Sequence, residues 1–163
     1  MLNKPRLNEV IAADTYFSAV NSIESYICSQ VYYGCTSCTI HVYSMKTESE
    51  FPLTYQDFLG NQGIPQTLQR DNAKSQHSEV VTKINRELIV ADSFTDPHHP
   101  HQNPVEGGSV KYLKSRSEIL MNQSGAPAHL WFLYHQYLAG VHNVSTSSPT
   151  RFLGDTIDIL HLL

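Results

Sequence analysis

The chain has 163 residues, 40% of them hydrophobic and 16% charged, and a formal net charge of −4. That length suits one domain with a real core, and the composition excludes a disordered chain. The excess of acids excludes a general electrostatic DNA binder, and no apolar run reaches the ~18 residues a membrane span needs.

Residues 1–9 are polar, contain Pro5 and are expected to form a loose lead-in. Val10 to Val20 is a short apolar stretch interrupted by Asp14, and Tyr16 and Phe17 favour a strand. A turn at Asn21-Ser22 precedes a second strand over Tyr26–Gly34. A turn over Gly34–Ser37 then leads to a third, Thr39–Tyr43. Three short strands joined by turns predict an antiparallel meander.

After Met45 the period changes. Thr47 or Ser49 can cap a helix with Pro52 in its first turn, and Phe51, Tyr55, Phe58 and Leu59 recur at helical spacing. Gly60 and Gly63 end it, and Ile64–Leu68 is extended and closes on Arg70-Asp71. Ser75 or Ser78 starts a second helix with Val80, Val81, Ile84 and Leu88 on its inner face, followed by a buried strand at Ile89-Val90-Ala91. Residues 93–104 form a loop rich in Pro and His. A third helix carries Val110, Leu113, Ile119 and Leu120 and stops at Gly125, and Pro127 starts a fourth. In the fourth helix Leu130, Leu133, Tyr137, Leu138 and Val141 form the inward stripe, with Trp131 and Tyr134 off it. The order β-β-β-α-β-α-β-α-α predicts an α/β domain. Its mixed five-stranded sheet has three antiparallel strands leading into parallel crossovers, with helices packed over it.

Three cysteines, Cys28, Cys35 and Cys38, fit a reduced intracellular protein. Cys35-x-x-Cys38 has the spacing of a half zinc site, but no second ligand pair accompanies it, and the segment reads as a turn into a strand. The N-terminus lacks the apolar stretch of a signal peptide, so the sequons at Asn122 and Asn143 are expected to stay unglycosylated.

Three carboxylates stand out. Asp14 lies inside an apolar strand, where a buried acid needs a partner or a metal, although a bulge or surface Asp is also possible. Asp71 follows a strand and precedes a helix, a usual position for catalytic groups in open α/β sheets. Glu106 either serves the chemistry or completes a capping box with Asn103 as cap and Pro104 at the first helical position, and the two roles can coexist. Gly107 and Gly108 weaken that first turn. His98, His99 and His101 read better as a solvated loop facing DNA than as a zinc site. Lys111, Lys114 and Arg116 form either a solvated face or a phosphate-binding one.

Together, Ala13-Asp14-Thr15, Arg70-Asp71-Asn72 and Gln102-Asn103-Pro104-Val105-Glu106 resemble the acidic triad of retroviral-type integrase catalytic cores, and most closely those of copia-type retrotransposons. The resemblance runs from about Val10 to Asn143 and touches Phe152–Ile159. Asp71 and Glu106 enclose 34 residues, one fewer than is usual in that family, and Asn72-Ala73 stands where many relatives have Asn-Gly. On this resemblance residues 10–143 are the ribonuclease-H-like core and 144–163 a truncated C-terminal extension, the family's flanking domains being absent.

The resemblance further implies that Asp14, Asp71 and Glu106 hold two Mg²⁺ or Mn²⁺ ions for DNA 3′-end processing and strand transfer. Asn72, Asn103, Lys111 and Lys114 would contact DNA. The partners implied are double-stranded DNA and further copies of the chain, with no membrane, in the nucleus or cytoplasm. Two alternatives remain: a decayed ribonuclease-H-like remnant that only binds, and a ribonuclease-H-type nuclease.

Overall fold

The computed structural model describes the backbone of residues 3–71, 78–95 and 105–146, and the side chains of all of these except residues 105–107. Five strands form one sheet in the order β3-β2-β1-β4-β5. They are β1 (Arg6–Phe17), β2 (Cys28–Gly34), β3 (Ile40–Met45), β4 (Ile64–Arg70) and β5 (Ala91–Phe94). β1 pairs antiparallel with β2, and β2 with β3, whereas β1–β4 and β4–β5 are parallel. The helices are α1 (Phe51–Asn61), α2 (Glu79–Leu88), α3 (Lys111–Ser124) and α4 (Trp131–Thr146). This is the mixed, helix-flanked sheet expected, in the expected element order.

The alternation of side chains along a strand assigns the two faces. Ile11 and Ala13 of β1 join Tyr32, Phe51, Tyr55, Phe58, Leu68 and Val81 in a core under α1 and α2. Ala12 joins Val31, Ile40, Leu113, Leu138 and Ala139 under α3 and α4. Ala12 and Ala13 are both fully buried, so the middle of β1 is covered on both sides. The outer edge of β3 is paired at its first residue. The Asn143 amide of α4 accepts from Ile40 N at 2.7 Å and donates to Ile40 O at 2.7 Å, as a neighbouring strand would.

Several expectations are corrected. Residues 6–9, expected as lead-in, are the start of β1, because Arg6 and Leu7 pair with Ile64 and Pro65 before a bulge resets the register at Val10. Ile89 is not in a strand. It adopts a left-handed conformation (φ 56°) as the C-cap of α2 and is exposed, so β5 begins at Ala91 and takes in Ser93 and Phe94. Ser78 caps α2, accepting a hydrogen bond from Val81 N, and Val80 faces solvent while Asn85 is buried. Ile119 of α3 is also exposed.

The stripe expected on α4 is reversed. Leu133, Tyr137 and Val141 are exposed, whereas Trp131, Phe132, His135, Leu138 and Ala139 are buried. Both stripes contain Leu138. The aromatic one faces inward because Trp131 donates its indole N–H to Val20 O at 3.0 Å and packs on Tyr16 and His135. Among the described residues no helix is long and apolar enough to cross a membrane.

Candidate functional site

Asp14 sits in the central strand, paired with Val31 of β2. It follows Ala12 on the even-numbered side of β1, so it points toward α3 and α4 from a half-buried position. Its Oδ1 accepts from Thr15 N at 2.8 Å. The parallel register pairs Ala12 with Gln69 and Ala13 with Arg70, so the next step along both strands is Asp14 and Asp71. Neighbouring strands lie ~4.8 Å apart and lateral neighbours share a face. The paired register ends at Arg70, and carried one step further it would set Asp71 beside Asp14 on the α3/α4 side.

β5 extends the arrangement by one strand. Arg70 pairs with Phe94, and beyond that pair Thr95 N donates to Arg70 O at 3.0 Å. The Thr95 hydroxyl lies 3.2 Å from Asp71 Oδ1 and 3.5 Å from Arg70 O. A hydroxyl has one proton, so the shorter contact to the carboxylate is the better bond.

The opposite face holds the backbone that carries Asp71. Arg70, fully buried, donates from Nη2 to Asp92 Oδ1 at 2.5 Å and lies 4.7 Å from the centre of the Phe94 ring. Asn85 Nδ2 donates to the same Asp92 oxygen at 2.8 Å, and Tyr55 OH donates to Asn85 Oδ1 at 2.6 Å. Burial raises the Tyr55 phenol, with Asp92 adding to the effect, so the hydroxyl remains a donor. This chain of polar groups ties α1, α2, β4 and β5 together directly behind the strand end.

Glu106 lies in a π-helical turn, Val105–Val110, that leads into α3. The turn packs against β1 and β2, and Val110 joins the Ala12 and Val31 cluster, so its backbone is on the face that carries Asp14. An α-helix was expected from Asn103 onward. Instead α-helical geometry begins at Lys111, because Gly107 and Gly108 each weaken an α turn by ~1 kcal/mol relative to Ala. The Glu106 side chain lies outside the described residues, as do Asn72, Asn103, Ser75, the 98–101 histidines and residues 147–163. Lys111 and Lys114 are exposed in the first turn of α3.

Among the described residues no group of three or more His, Cys, Asp or Glu is placed to hold a metal ion. Asp14 and Asp71 offer carboxylate oxygens, a hard donor type that suits Mg²⁺ or Mn²⁺. The cysteines behave differently. Burial and nearby acids push the Cys28 thiol up to about 11, and burial with Glu9 raises Cys35, the reverse of what a reactive thiolate requires.

The topology and the helix-covered faces match solved structures. The chain superposes on a chain of the simian T-cell lymphotropic virus intasome in complex with PP2A regulatory subunit B56 gamma, with a TM-score of 0.65 and 14% identity over 83% of this chain and 52% of that one. The fold is that of a retroviral integrase catalytic core. The HTLV-2 integrase catalytic core domain in complex with magnesium matches in its trimeric form with a TM-score of 0.60 and 14% identity, covering 80% of this chain and 83% of that one. Its dimeric form gives 0.59 and 13%, covering 80% and 84%. This chain spans about half the length of the matched intasome chain. No protein-family model and no curated protein sequence matches it.

Within the integrase-core fold, Thr95 and the Arg70–Asp92–Asn85–Tyr55 chain were missed in the sequence. The signal for Thr95 was the strand before it. Placing that strand at 89–91 left Thr95 in a loop, whereas its true span, Ala91–Phe94, puts Thr95 next to Asp71.

Proposed function

We propose that the chain is the catalytic core of a retrotransposon-type integrase, in which Asp14, Asp71 and Glu106 serve metal-dependent cutting and joining of DNA. The observation that carries this reading is the register of β1 and β4. Carried one step past Ala13 and Arg70, it would set Asp71 beside Asp14 on the face covered by the turn that contains Glu106. The integrase-core fold supports it, and the three acid-bearing motifs support the copia-type assignment.

Asp14 and Asp71 would hold the cations, with Glu106 as the third acid. When bound, divalent ions there neutralise charge on the phosphodiester and activate the attacking oxygen. The DNA strand would come to these acids on the sheet. Lys111 and Lys114, in the first turn of α3 after Glu106, are exposed and positively charged, and on this reading they hold the DNA backbone beside the acids. Asn72 and Asn103 flank the acids in sequence and would contact the same strand. Double-stranded DNA and further copies of the chain are the partners this reading requires.

In a strand-transfer assay with Mn²⁺ and a short DNA duplex, D14N and D71N are each expected to reduce activity to background, with far-ultraviolet circular dichroism unchanged. Wild-type activity in either variant contradicts the assignment. A second reading, a binding module that has lost the chemistry, is favoured by the net charge of −4. It requires a melting temperature that does not respond to millimolar Mg²⁺ or Mn²⁺, since a ligand that binds the folded state must stabilise it.

A further inference from the structure

We propose that Thr95 is a positioning residue for Asp71, a rigid hydroxyl donor that sets the orientation of the carboxylate. This rests on the reading of Asp71 as a cation-holding acid. Asp71 directly follows the last residue of β4. Its side chain turns about two torsions, and a ligand must hold its oxygens within a fraction of an ångström to coordinate.

Thr95 meets the requirements of a fixed donor. It is 5% exposed, its backbone is tied to Arg70 O at 3.0 Å, and its β-branched side chain is stiff about χ1. Its hydroxyl reaches Asp71 Oδ1 at 3.2 Å. A donor to one oxygen from the β5 side restricts the rotation of the carboxylate.

Arg70 extends the support to the other face. Residues 70 and 71 point to opposite sides, so the Asp92 and Asn85 contacts anchor the backbone while Thr95 orients the acid. Thr95 thus connects β5 to the site without itself touching substrate. Donors to a ligating carboxylate of this kind typically alter metal affinity 10–100-fold when removed.

The test measures Mn²⁺ affinity by electron paramagnetic resonance of the free ion and by melting temperature against Mn²⁺ concentration, on the full chain. T95V, which keeps the shape and removes the hydroxyl, is expected to weaken Mn²⁺ binding about 10–100-fold, and T95S to restore it. If T95V fails to fold, T95S against T95A decides, because both lack the methyl and differ only in the hydroxyl. D71N is the control and is expected to lose the Mn²⁺ response. Loss in D71N with wild-type affinity in T95V or T95A overturns the role of Thr95 and leaves Asp71 as a ligand. Wild-type affinity in D71N, or no Mn²⁺ response in the wild type, overturns the ligand reading and this inference with it.

Discussion

The two faces of the sheet carry their polar groups in different ways. Under α1 and α2, Arg70, Asp92, Asn85 and Tyr55 hydrogen-bond in a connected chain. Under α3 and α4, Asp14 is half-buried in β1, and Asp71, just past the end of β4, accepts from the Thr95 hydroxyl. The first face holds the strand ends still. On the proposed reading, the second presents the carboxylates that hold a cation. Substitutions on the first should therefore cost stability, and those at the strand ends on the second should cost metal binding.

The largest stability effect is expected at the Arg70–Asp92 pair. Arg70 is fully buried and Asp92 only partly so, so removing the acid strands the guanidinium, and D92L is expected to destabilise the fold by about 3–5 kcal/mol in urea unfolding. The double variant R70M/D92L should recover much of that loss. A loss in D92L below ~1 kcal/mol would show that the pair is not structural.

His135 gives the next effect. It packs edge-on to Tyr16 and Trp131, is fully buried, and burial alone lowers its pKa from 6.5 to about 4. Between these values the unfolded chain takes up a proton that the folded chain refuses. Stability is therefore lost as pH falls from about 6.5 to 4, by up to about 3 kcal/mol, and is fully retained above that range. H135L should flatten this part of the stability–pH curve, and an unchanged slope would place the acid sensitivity elsewhere.

Much of this division was legible in the sequence. Asp14 in an apolar strand and Asp71 at a strand end marked the second face, and the helical spacing of Phe51, Tyr55, Phe58 and Leu59 marked the first. What could not be read depended on tertiary partners. The α4 stripe was reversed because Leu133, Tyr137 and Val141 have the same period as Trp131, His135 and Leu138, and only the carbonyl of Val20 and the ring of Tyr16 distinguish them. The burial of Arg70 could not be read locally, because the partner that makes it tolerable, Asp92, lies 22 positions away. Thr95 was hidden by a strand placed two residues too early, since Ile89 has strong strand preference yet caps a helix in a left-handed conformation.

The central claim is that a divalent cation binds at the carboxyl ends of β1 and β4, on the α3/α4 side. Sub-stoichiometric Mn²⁺ added to ¹⁵N-labelled protein tests it most directly, because paramagnetic broadening is strongest nearest the ion. The expected result is broadening centred on the amides of Thr15, Asp71 and Thr95, lost in D71N. Broadening centred on Asp92 or Glu87 on the other face, or no site-specific broadening at all, would contradict the account.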